Sequence, residues 1–71
     1  MYKMTISTFA YELLREQDLH DRVVFMLTEF SQTAGTDINS DYHWATITDE
    51  DFLIAKLKYP EAFKYITARK I

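Results

Sequence analysis

The apolar residues of the first thirty positions fall into two helical stripes that cannot share one straight helix. Ile6, Phe9, Ala10, Leu13 and Leu14 recur at the spacing of a single apolar helix face. Leu19, Val23, Met26, Leu27 and Phe30 repeat that pattern. At about 100° per residue, however, the second stripe points roughly 110–120° away from the first. The chain is therefore expected to break near Gln17–Asp18, with Asp18 as N-cap of the second helix and Asp21 in its first turn. Thr5 or Ser7 can cap the first. Val24 and Phe25 lie off the second stripe, which predicts a helix apolar over more than half its circumference and central in the fold. Gly35, the single glycine, is expected to close that helix in the left-handed region.

Further along, Thr48-Asp-Glu-Asp reads as a helix start, with a capping hydroxyl and three carboxylates at the positive end of the helix dipole. It predicts a helix over Asp49–Lys58. Pro60 ends that pattern and suits the first position of a fourth helix, whose stripe is Tyr59, Ala62, Phe63 and Ile66. Residues 67–71 are expected to trail off from it, with Arg69 and Lys70 near the negative helix end.

These elements predict an all-α fold, a compact bundle of about four short helices. Two stretches favour an alternative. Residues 2–6 and 42–47 alternate at period two and contain β-formers, so they can pair as a two-stranded ribbon in a small α+β fold. With 71 residues the chain reads as one small domain, residues 1–71. A hydrophobic fraction of 48% argues against disorder.

The candidate contact surface is Thr36–Asp51, where acids surround an aromatic cluster without a basic residue. Water accepts carboxylates readily and gains little from exposed large aromatics. A segment holding both is either anchoring itself to a core or presenting itself to a partner. The partner-binding residues expected from this are Asp37, Asp41, Tyr42, His43, Trp44, Asp49 and Glu50. Trp44 and Tyr42 serve as anchors, and the carboxylates steer towards a basic protein surface. A small acidic inhibitor or regulator that masks such a surface is the concrete expectation. The alternatives are a self-associating domain, possible because so short a chain has an over-apolar second helix, and a nucleic-acid-binding regulator using a basic C-terminal helix. The charge asymmetry motivates the latter: residues 52–71 carry Lys56, Lys58, Lys64, Arg69 and Lys70 against Glu61 alone, although the whole chain is at −3.

Other chemistries find little support. Asp37, Asn39 and Asp41 resemble the start of a calcium loop, but Tyr42 and Thr48 occupy the places that need glycine and a bidentate glutamate. His20 reads as a solvated helix residue, and its spacing from His43 gives no zinc pattern. Ser7, Ser31 and Ser40 lack a nucleophile elbow or a partner base, so no catalytic residue, cofactor or metal site is expected, and the chain reads as non-enzymatic. The acidic total and the missing Arg/Asn/Gln reading set disfavour nucleic acid. No apolar run reaches membrane-spanning length, the first residues lack a signal-peptide pattern, and there is no cysteine. A soluble cytoplasmic protein without membrane contact is expected.

Overall fold

The structure is a computed structural model that describes residues 1–37 and 41–71. Its elements run β1 (Tyr2–Ser7), α1 (Thr8–Glu16), α2 (His20–Phe30), β2 (Thr33–Asp37), β3 (Tyr42–Ile47), α3 (Asp49–Lys58), a 3-10 turn (Pro60–Phe63) and β4 (Thr67–Lys70). The strands form one antiparallel sheet in the order β2-β3-β1-β4. The all-α expectation is thereby overturned: this is a small α+β fold. The two alternating segments do pair, Tyr2 opposite Ile47 through Ser7 opposite Tyr42. They form the central strands of a four-stranded sheet, not an isolated ribbon. Each crossover skips one strand, α1–α2 leading from β1 to β2 and α3 from β3 to β4, which is a split βαβ arrangement.

Local chemistry explains where the helices begin. Ser7 caps α1 by accepting the Ala10 N–H at 3.1 Å. Thr48 caps α3 by accepting the Asp51 N–H at 3.2 Å, with Asp49, Glu50 and Asp51 in the first turn. Ile6, counted above with the first helical stripe, belongs instead to β1, where it is buried. Period two wins over period 3.6 at this residue because the strand places Met4 and Ile6 on the core face together.

The expected break falls between Glu16 and His20, but Asp18 does not cap the second helix. It ends the first. Its φ is 58°, its N–H donates to the Arg15 carbonyl at 3.2 Å, and the Leu19 N–H donates to the Leu14 carbonyl at 2.9 Å. That pair of bonds is a Schellman closure with aspartate in the place glycine usually takes. Helix α2 starts at Leu19 without a side-chain cap.

Gly35 is likewise misplaced by sequence reasoning. It lies inside β2, opposite Trp44, and its φ is not positive. Glycine is required there for space, since a Cβ would stand 2.8 Å from Trp44 Cζ2. The fourth helix shrinks to the 3-10 turn at Pro60, and residues 67–70 form edge strand β4 rather than a frayed helix end.

All helices cover one face of the sheet. Met4, Ile6, Ala45 and Ile47 from the sheet meet Leu14, Val23, Met26, Phe52, Ala55 and Ala62 to form the core. The second helix is not the centre expected of it. Val24 and Phe25 are exposed, and the two inner strands occupy the middle. At the lower edge of the helical layer, Lys58 Nζ and the Tyr59 hydroxyl donate to the two Glu29 carboxylate oxygens at 2.6 and 2.7 Å, tying α3 to α2.

Candidate binding face

Period two divides β3 between two environments. His43, Ala45 and Ile47 face the helices, while Tyr42, Trp44 and Thr46 face away. Their register partners share that outer face: Asp37, Gly35 and Thr33 from β2, and Ser7, Thr5 and Lys3 from β1. Beyond β1, Thr67 and Arg69 of β4 continue it. No helix among the described residues covers this side.

Trp44 occupies the middle of the open face and is partly buried. It is therefore neither fully buried in the core nor fully exposed to solvent. Its indole lies over the Cβ-less Gly35, and Lys3 Nζ stands 5.2 Å from its ring centroid. Both contacts hold the ring against the sheet. Its outer surface remains available for contact. Along the same face runs a cavity of about 500 Å³ between β1, β4 and Tyr65, lined by Lys3, Arg69 and a set of hydroxyls. Gln17 Nε2 donates to the Tyr65 hydroxyl at 2.7 Å, holding that ring in place.

The seven residues expected to act together are not one surface. Tyr42 and Trp44 share the open face with Asp37. Asp41, at φ 54°, bends the hairpin back on α1, where its carboxylate accepts the Thr8 hydroxyl at 3.0 Å and its carbonyl the Thr8 N–H at 3.2 Å. His43 faces the helices, 3.1 Å from the Thr36 hydroxyl and 5.1 Å from the Tyr11 ring centroid. Asp49 and Glu50 lie past the other end of β3, which is roughly 15–20 Å long for a strand of its size. The Met1 ammonium and Lys70 bond the Asp49 carboxyl at 2.5 and 3.1 Å and hold it below its usual carboxylate range. Asp49 is thus a tie between the chain ends and α3.

His20 differs from the solvated residue expected. Its Nε2 is 2.5 Å from the Tyr11 hydroxyl, so Tyr11 stands between the two imidazoles of the chain. No group of three metal-ligating side chains occurs among the described residues. Residues 38–40, part of the rejected calcium pattern, lie outside those described, as does Ser40 of the serines considered. No described helix is long and apolar enough to cross a membrane.

Sequence reasoning missed Lys3, Thr5 and Thr67 and placed Arg69 only in a basic C-terminal helix; these residues come from opposite ends of the chain. The alternation in residues 2–6 already placed Lys3 and Thr5 on one side. Only the β1–β4 pairing brings Arg69 opposite Lys3.

Comparison with known proteins adds no assignment: no family model matches the chain, and neither a curated protein nor a solved structure shows significant similarity to it.

Proposed function

We propose that this protein is a non-enzymatic protein-binding module whose contact surface is the open face of the sheet. The observation that supports this is Trp44, partly exposed at the centre of a face that no described element covers, with Tyr42 on the same strand and Arg69 on the same face. Tryptophan, tyrosine and arginine are the residues most enriched among energetic centres of protein interfaces. Rigid strands carry all three, so little side-chain and backbone freedom is left to lose on binding. The face is also polar along its strands. Asp37 lies beside Tyr42 near the β2–β3 connection, and Lys3 and Arg69 lie towards the opposite end. Such an arrangement fixes the orientation of a partner more than its affinity. The acidic regulator reading keeps Asp37 and Asp41 as the carboxylates meeting a basic rim, whereas Asp49 serves structure. The lack of cysteine fits a cytoplasmic setting.

The test is comparative capture. Wild-type protein, Trp44→Ala and a control, Glu12→Gln at an exposed position of α1, serve as tagged baits in extracts of the native host. A partner retained by wild type and the control but lost by Trp44→Ala supports the reading. With that partner purified, the tryptophan change is expected to cost about 2 kcal/mol or more of binding energy. Equal binding by all three baits sinks it.

Self-association is a second reading, favoured by a specific observation. Phe9, Phe25, Leu53 and Leu57 are all more than half exposed on the helical layer, Leu57 at 85%. A second copy is one way to cover them.

A further inference from the structure

We infer that the cavity between β1 and β4 is a binding site for a single phosphoryl group, carried by the partner protein. Lys3 and Arg69 are directly opposed in the β1–β4 register and line the same cavity. Like charges placed opposite each other on neighbouring strands destabilise a sheet. The Lys3 ammonium over the Trp44 ring accounts for Lys3, but folding alone does not account for a second cation directly opposite it. An anion between them does.

The lining supports the same sign. Among the described residues, no carboxylate borders the cavity. The only acid among those residues that strand pairing places on the open face is Asp37, on the opposite edge strand β2. The Arg69 guanidinium has no ion pair or side-chain hydrogen bond among the described residues. Two lining hydroxyls already use an oxygen lone pair: Ser7 accepts the Ala10 N–H and Tyr65 accepts Gln17 Nε2. Each keeps its proton to donate, along with a second lone pair. Lys3 and Arg69 thus line the cavity together with the hydroxyls of Thr5, Ser7, Tyr65 and Thr67, each able to donate. A tetrahedral group with three terminal oxygens can accept from such a set. A carboxylate, with two oxygens, leaves more of it unmatched. A nucleic-acid strand needs a row of cations along its backbone, and this face of a chain at −3 supplies two.

The identity of the carrier rests on the open face being the contact surface, but the site itself is testable without a partner. Isotope-labelled protein is titrated with inorganic phosphate at constant ionic strength, following amide shifts and the thermal midpoint. Saturable shifts at Lys3, Ser7, Thr67 and Arg69 are expected, with a midpoint that rises with phosphate. Arg69→Thr and Lys3→Thr are each expected to weaken the response by about tenfold or more. Arg69→Thr should also leave the phosphate-free midpoint unchanged or higher, because it removes the like-charge pair. A merely structural arginine would lower it. Shifts that do not saturate, or that survive both substitutions, overturn the site. Equal binding of acetate overturns the phosphoryl assignment. Oligothymidine binding with a salt dependence of several phosphate contacts overturns the single-group assignment in favour of a nucleic-acid strand. If capture proves independent of Trp44 while phosphate still binds, the contact-face reading fails and the site stands.

Discussion

Asp18 and Gly35 show how a single residue can be right for a position for an unexpected reason. Sequence reasoning makes Asp18 a helix start through its capping side chain and Gly35 a helix stop through its backbone freedom. In the structure the non-glycine residue holds the left-handed conformation, at φ 58°, and the glycine is extended in a strand. Aspartate tolerates the left-handed region better than most residues, but at a cost that glycine avoids. Asp18→Gly is therefore expected to raise stability by about 0.5 kcal/mol, the relieved strain exceeding the added freedom of the unfolded chain. Asp18→Val should lower stability by more than 1 kcal/mol on the order expected for a branched residue held there. Urea denaturation of the three proteins checks the order. If Asp18 were the cap of α2, glycine would be neutral or unfavourable instead. Gly35 carries the complementary lesson. Its space is set by the Trp44 indole across the strand pair, a contact no local pattern reveals.

At the level of elements, legibility followed the reach of the interaction. Helix α3 is readable to both of its ends, Asp49 and Lys58, because the Thr48 cap, the acidic first turn and Pro60 all lie within a few residues of its termini. The break between α1 and α2 was readable from stripe direction. The sheet was not, beyond the alternation of β1 and β3, because strand identity is decided by partners. Strand β2 is Thr-Ala-Gly-Thr-Asp, with almost no apolar signal, and β4 is Thr-Ala-Arg-Lys. Each is an edge strand that needs only one neighbour, and its shortness and polarity blunt edge-to-edge association. The acidic cluster is continuous only along the chain. Once Tyr42–Ile47 becomes a strand, its acids separate to the two ends.

The α2–α3 tie yields a testable pH dependence at the same scale. Hydrogen bonds from Lys58, then Tyr59, hold the Glu29 carboxyl below its usual range. The same carboxylate raises both Lys58 and Tyr59. For Glu29 the stabilisation is present above the unfolded-state value and is lost as pH falls through the depressed folded value. For Lys58 and Tyr59 it is present below the unfolded values and is lost as pH rises through the raised ones. Glu29→Gln is thus expected to lower the thermal midpoint slightly at intermediate pH, where the tie is formed, and to leave it unchanged at the acid and alkaline extremes, so that the pH profile is flatter. The effect should be shallow and shrink with salt, since the pair is 53% and 38% exposed. A midpoint profile identical to wild type would show that the tie contributes nothing.

Seen as a whole molecule, the fold has two outward faces, and they make opposite demands. The open sheet face is mixed: aromatic at its centre, charged at its ends and rich in threonine. The helical layer presents Phe9, Phe25, Leu53, Ile54 and Leu57 to solvent although the core beneath it is already filled by other residues. Small domains have little buried surface to spare, so exposed apolar side chains at this density contribute nothing to the stability of one copy. If they serve self-association, replacing Leu53 and Leu57 together by serine should leave the thermal midpoint of the dilute protein within about 0.5 kcal/mol of wild type, as for other exposed positions. The same change should lower the association seen by sedimentation velocity across a concentration series. Trp44→Ala should leave that association untouched, because Trp44 is on the opposite side of the sheet. Association that responds to Trp44 and not to the leucines would transfer self-contact to the sheet face. That face would then bind a second copy, and the partner sought by capture would be the protein itself. A monomer at every concentration in all three proteins would leave the leucines as ordinary surface exposure and the open sheet face as the contact surface of choice.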